Sequence, residues 1–148
     1  MIYYFAYGSN MNQEQMKKRC EDSKLIGNAV LLEYELAFTI YSPKRKCGCA
    51  DIVKHENKKV FGLLYEISEQ DLKALDIYEV HPKYYKRFTV TVKDQEGREY
   101  QAETYEVVNK EKEFQKPSQE YLQLLISAAQ ENNFPEEYQK FLSSFETV

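Results

Sequence analysis

Strand-like segments fill most of the first 108 residues, while the longest helical pattern comes after residue 117. That order constrains the fold more than any other feature of the chain. Residues 2–7 form a β-rich run of Ile, Tyr, Tyr, Phe and Tyr, closed by the turn-forming Gly8-Ser9-Asn10. The stretch 30–41 alternates in its later half, which puts Leu36, Phe38 and Ile40 on one face. Two further strands are predicted over 48–54 and 58–67, joined by a turn at Glu56-Asn57-Lys58. A last pair covers 85–93 and 99–108, with a turn at Asp94-Gln95-Glu96-Gly97.

Helices interrupt this pattern at defined points. Asn12 or Asn10 can cap a short helix over 12–20, with Met16 and Cys20 four apart on one face. Ser68-x-x-Asp71 resembles a capping box and opens a helix whose stripe is Leu72 and Leu75, with Pro82 as its stop. Residues 109–117 are a polar connector. Pro117-Ser118 then opens a helix over 119–132, with Leu122, Leu125, Ile126 and Ala129 on one side. A final helix over 135–145 starts at Pro135, which suits a first helical turn. The sum is an α+β fold: a mixed or mostly antiparallel sheet, able to curl into a small β-barrel, with flanking helices. At 148 residues, without repeat or low-complexity linker, residues 1–148 are expected to form a single domain.

Composition excludes several function classes. A net charge of −4 gives no general attraction to phosphate backbones, and the one basic cluster, Lys44-Arg45-Lys46, reads as a solvated loop. No nucleic-acid partner is expected. No apolar run approaches the ~20 residues that cross a bilayer, so no membrane partner is expected either. The start leads straight into a patterned strand and does not read as a signal peptide. Three cysteines, an odd number, fit reduced thiols and a cytoplasmic setting. Cys47-Gly48-Cys49 lacks the spacing and the second ligand pair of a zinc site, and two thiols one residue apart on a strand share one core-facing side. Neither metal nor cofactor is expected.

Chemistry can live in three places. Tyr7-Gly8-Ser9-Asn10 ends a strand just before a helix, where Gly8 allows close approach and several N–H groups can gather around a carboxylate or oxyanion. A plain strand-to-helix turn uses the same residues. Glu79 lies about 20° from Leu72 around an extended helix, so it points inward if the helix persists that far and into solvent if the helix frays at Ile77. An inward carboxyl at a helix C-terminus has its pKa raised by burial and by the dipole, which suits a general base at neutral pH. Third, Tyr78, Tyr84, Tyr85, Tyr105 and Tyr121 are candidates for core packing. Tyr121 shares a face with Leu125 and Ala128, and its hydroxyl can meet either a ligand or a backbone carbonyl. A Cys or Ser nucleophile lacks any triad or elbow signature.

Four ordered segments resemble the γ-glutamyl cyclotransferase-like (AIG2-like) superfamily. Phe5-Ala6-Tyr7-Gly8-Ser9-Asn10-Met11 is similar to its Y-G-S-N signature, and Val60-Phe61-Gly62-Leu63-Leu64-Tyr65 to its V-x-G-x-[VL]-[YW] strand. Leu75-Asp76-Ile77-Tyr78-Glu79 looks like L-D-x-x-E. Pro117-Ser118-Gln119-Glu120-Tyr121 and Asn133-Phe134-Pro135-Glu136-Glu137-Tyr138 look like P-S-x-x-Y and (G/N)-L-P-x-x-Y of the true cyclotransferase branch. The resemblance implies a barrel enzyme that cyclises a γ-glutamyl amide to 5-oxoproline. Glu79 would be the acid–base residue, and Tyr7, Gly8, Ser9, Asn10 and Met11 would bind the γ-glutamyl group, with Tyr85 and Tyr121 in the pocket. It also implies a small-molecule γ-glutamyl substrate and a homodimer. Val80 stands where the family commonly has glycine, and the glycine-free segment 81–85 leaves open whether Tyr84 or Tyr85 enters the pocket. A non-catalytic binding protein on the same fold, and a γ-glutamyl-amine cyclotransferase, are the competing readings.

Overall fold

The computed structural model describes residues 1–148, in the order β1 (Ile2–Ala6), α1 (Gln13–Arg19), β2 (Lys24–Ser42), β3 (Cys47–Ile67), α2 (Glu69–Tyr78), β4 (Tyr85–Asp94), β5 (Glu99–Val107), α3 (Gln119–Glu131) and α4 (Glu136–Ser143). The strands close into a barrel in the order β1-β3-β2-β4-β5. Only β1 and β5 run parallel, meeting at Tyr4 and Glu103; every other pair is antiparallel. The mixed barrel with flanking helices expected from the strand order is the fold observed.

The expected turn at 56–58 is not a hairpin. Segments 48–54 and 58–67 belong to one long strand, β3, and both pair with β2. The register slips there: Leu32 faces Lys59 whereas Tyr34 faces Lys54, so a bulge takes up the extra residues. Glu33 and Asn57 sit at positive φ on either side of it, and the Asn57 N–H donates to the Glu33 carboxylate at 2.9 Å. A bulge of this size mimics a turn in sequence, because Asn and the flanking charged residues serve both. β2 also starts at Lys24, six residues before the alternating stretch.

The barrel interior and the helix-covered face share one cluster of 33 buried residues. Gly62 fits this packing because the Phe5 ring and the Ala6 carbonyl lie over it. An added Cβ would stand 2.3 Å from that carbonyl and 2.8 Å from the ring. Gly62→Ala is therefore expected to lower stability by about 1–3 kcal/mol, which urea unfolding would measure. α3 and α4 lie against β2 and β3. Their contacts include Phe61 with Tyr138 (ring centroids 5.1 Å) and Phe38 with Tyr121 (6.3 Å), and just past α4 Phe145 packs on Phe38 (4.8 Å). No helix is long and apolar enough to cross a membrane.

The polar connector after β5 does structural work. Its Glu111 and Gln115 N–H groups donate to the Thr39 and Phe38 carbonyls, and Gly48 N–H donates to the Lys116 carbonyl. Asp51, fully buried on β3, accepts from the Thr39 hydroxyl (2.7 Å), the Val107 N–H (2.9 Å) and the Lys110 ammonium (2.7 Å). These bonds tie the β5 exit to the start of β3.

Candidate active site

One end of the barrel opens into a cavity of about 810 Å³. Its wall is drawn from the β1 exit, the β2–β3 tip, the end of α2 and the first turn of α3, which barrel closure brings together. Another hollow, about 390 Å³ between α3 and α4, has a single apolar residue in its wall and lacks the character of a ligand pocket.

The turn after β1 is a short 3₁₀ segment, Ser9–Met11. The Met11 and Asn12 N–H groups bond back to the Gly8 and Ser9 carbonyls. Those of Gly8, Ser9 and Asn10 donate to no protein acceptor, and all three residues line the cavity. Side chains stiffen the turn from behind. The Gln15 amide donates to Ser9 Oγ (2.9 Å) and Asn10 Oδ1 (3.0 Å), and the Arg19 guanidinium donates to the same Oδ1 (3.0 Å). The Asn10 amide reaches the Tyr4 hydroxyl, and the Tyr65 hydroxyl donates to the Asn10 carbonyl. Gly8 is confined by close approach: a Cβ there would lie 3.3 Å from that of Ala50 and 3.5 Å from the Tyr121 hydroxyl. Met11 differs from its neighbours. Its side chain is buried in the core and takes no part in the cavity wall.

α2 carries Glu79 to the wall of the same cavity. Its N-terminus is the expected capping box, with both Ser68–Asp71 bonds formed. Its C-terminus comes earlier than Pro82 would impose. The His81 N–H donates to the Asp76 carbonyl and Val80 N–H to Ile77, a Schellman closure with Val80 at φ 52°. A β-branched residue is strained in that conformation, which glycine adopts without cost. Val80→Gly should therefore raise the unfolding free energy by about 1 kcal/mol, measurable by denaturant titration. Glu79 itself is the C-cap with α dihedrals (φ −83°, ψ −3°), so the helical stripe reaches it. Asp76 anchors this end of α2 to the barrel, accepting from Arg87 Nε at 2.9 Å and from the Tyr105 hydroxyl at 2.6 Å.

Glu79 is half-buried and faces the cavity. Burial pushes its carboxyl up to about 7, against the opposing pull of the Arg19 and Arg45 guanidinium groups. Burial also drives the Tyr4, Tyr7, Tyr85, Tyr105 and Tyr121 hydroxyls upward, so they remain neutral hydrogen-bonding groups. Ala50 organises two of them: its N–H donates to the Tyr121 oxygen (3.0 Å), and its carbonyl accepts from Tyr85 (2.8 Å). Tyr121 thus keeps its own O–H to give. Tyr7 instead spends its hydroxyl on the Tyr105 carbonyl. Both Tyr84 and Tyr85 line the cavity, Tyr84 at the exposed edge and Tyr85 deeper.

Arg19 and Arg45 are the participants that sequence reading missed. Arg19 lies 4.4 Å over the Tyr78 ring and Arg45 5.0 Å over that of Tyr121. A half-buried arginine in a basic loop has no local signature, because nothing in Lys44-Arg45-Lys46 marks which side chain turns inward.

Barrel, helix order and carboxyl-bearing cavity define a small β-barrel enzyme of the γ-glutamylcyclotransferase type. The chain is 33% identical over 150 residues to the γ-glutamylcyclotransferase of Bos taurus, a match covering 97% of this chain and 78% of that one. It is 31% identical over 148 residues to the enzyme of the same name from Homo sapiens, with the same shares. A solved γ-glutamyl cyclotransferase structure superposes with a TM-score of 0.92 at 30% identity, covering 99% of this chain and 89% of that one. Residues 59–142 match the model of the AIG2-like family. The chain belongs to that family.

Proposed function

We propose that the protein converts a γ-glutamyl amide into 5-oxoproline and a free amine or amino acid, with Glu79 as acid–base residue. The observation that carries this reading is a carboxyl group poised near neutrality in the same cavity as the unpaired N–H groups of Gly8, Ser9 and Asn10. Those N–H groups would hold the substrate's carboxylate or the developing oxyanion. The α-nitrogen then attacks the γ-carbonyl of the same molecule: a C–N bond closes the five-membered lactam and the original amide C–N bond breaks. Two protons leave the α-nitrogen and arrive on the departing nitrogen, with Glu79 carrying them one at a time. Intramolecular attack supplies proximity once the cavity folds the substrate back on itself. Tyr7 would brace the turn, and Tyr85 and Tyr121 would shape the wall, Tyr121 with a proton free to donate.

Residues 1–148 are taken as one domain, since a single buried cluster spans barrel and helices. Three unpaired, buried thiols favour a reducing, cytoplasmic setting. A homodimer follows the family resemblance, and light scattering would test it. The function is tested by incubating the purified protein with a set of γ-glutamyl dipeptides and assaying 5-oxoproline. Release supports the reading. Tight binding without release would make the chain a binding protein and overturn it.

A further inference from the structure

We propose that the outer part of the cavity is a leaving-group subsite for an α-amino acid that has a large apolar, above all aromatic, side chain and a free carboxylate. This rests on the γ-glutamyl reading above and narrows its substrate class.

The first observation is an unspent cation. Arg45 is half-buried in the cavity wall, and no carboxylate lies within ion-pair distance of it. Its guanidinium makes one protein hydrogen bond, a long 3.4 Å contact to Gln15 Oε1, and lies over the Tyr121 ring. Arg19 differs, since it donates to Asn10 and so helps build the turn. A planar guanidinium with open donors matches a carboxylate in bidentate geometry. On the γ-glutamyl reading, the N–H groups at 8–10 take the glutamyl carboxylate. A second anion site therefore calls for a second carboxylate, and in a γ-glutamyl amide that group can only come from the leaving side. The charges agree: Arg19, Arg45 and the substrate ammonium balance the Glu79 carboxylate and two substrate carboxylates.

The second observation is the rim. Twelve large hydrophobic side chains are exposed in the whole molecule, and four of them line this one cavity: Tyr41 (51%), Tyr78 (52%), Val80 (43%) and Tyr84 (49%). Residues that both line a cavity and face water lie at its mouth. Apolar surface concentrated around an opening marks a contact surface, and tyrosine rings offer edges and faces to another ring. Val80 adds an isopropyl group there at the cost of a strained backbone. The 810 Å³ volume lies in the range, about 300–1,000 Å³, of cavities that enclose sizeable ligands. A glutamyl group with a small amine would leave this mouth empty.

The test measures kcat/KM for 5-oxoproline release by the full chain from four compounds: γ-glutamyl-phenylalanine, γ-glutamyl-alanine, γ-glutamyl-phenylalanine amide and γ-glutamyl-phenethylamine. The phenylalanine acid is expected to exceed the alanine acid, and also both carboxylate-free compounds, by roughly tenfold or more. Arg45→Gln should erase the preference for acid over amide, and Tyr84→Ala should shrink the ratio of phenylalanine to alanine. Ratios between substrates cancel any change at Glu79 or in the amount of folded enzyme. Equal rates for the phenylalanine and alanine acids would overturn the apolar subsite. Equal rates for acid and amide in the wild-type chain would overturn the carboxylate site. In either case the cyclotransferase reaction would stand. No release from any compound would instead defeat the reaction itself.

Discussion

Replacing Glu79 with glutamine should cut kcat by about 10²–10⁴-fold while the protein remains folded. Glutamine keeps the size and much of the polarity of the side chain but cannot accept a proton. The pH profile is a second, independent check. Turnover needs the carboxylate, so the acidic limb of kcat/KM should have its midpoint near 7 instead of the ordinary 4.5. Removing the Arg45 charge should move that limb to higher pH, because the guanidinium favours the ionised form. Stability should respond with a definite sign. The folded carboxyl holds its proton more tightly than the unfolded one, so wild-type stability falls as pH rises from 4.5 to 7 and is level above. The loss amounts to about 1–3 kcal/mol, allowing for the part of Glu79 that meets cavity water. Glu79→Gln escapes this loss. Thermal melts at pH 8 should show the variant more stable than wild type, and the gap should close by pH 4. A wild-type rate profile with its acidic midpoint near 4.5 would remove Glu79 from the role.

Asp51→Ala should cost about 3 kcal/mol of stability, enough to remove a large part of a small domain's margin. Asp51 is fully buried and accepts three bonds. Its loss strands the Val107 N–H and the Thr39 hydroxyl without acceptors inside the protein, which accounts for most of the cost. Lys110 keeps about a third of its side chain in water and can be rehydrated, so the broken ion pair adds less. Function should suffer with stability, because the neighbouring Ala50 holds both Tyr121 and Tyr85 through its main chain. Asp51→Asn, which retains one acceptor, should fall between wild type and Asp51→Ala in urea titration. A loss under ~0.5 kcal/mol for the alanine variant would mean these bonds contribute little net stability.

Local pattern carried much of the architecture. Alternation marked the strands, Ser68 and Ser118 capped α2 and α3 where expected, and Asn12 capped α1 through its side chain. These features come from neighbours within a turn or two of each other, so a linear reading can find them. It misjudged the bulge at 55–58, because the same residues suit a turn and a bulge, and only the partner strand settles which forms. Glu79 was legible as an inward carboxyl on helical spacing, yet whether α2 persisted far enough depended on the Asp76–Arg87 tether and the closure at Val80.

Chain order, strand and helix periodicity and the Tyr7–Asn10 and Leu75–Glu79 motifs are properties of the sequence itself. The tertiary fold alone gathered Arg19, Arg45, Glu79 and Tyr121 around one cavity, and burial there raised the pKa of Glu79 toward neutral against the pull of both arginines. Periodicity is a relation among near neighbours. Desolvation and charge pairing depend on distances in space, and the folded chain sets those between residues far apart along it.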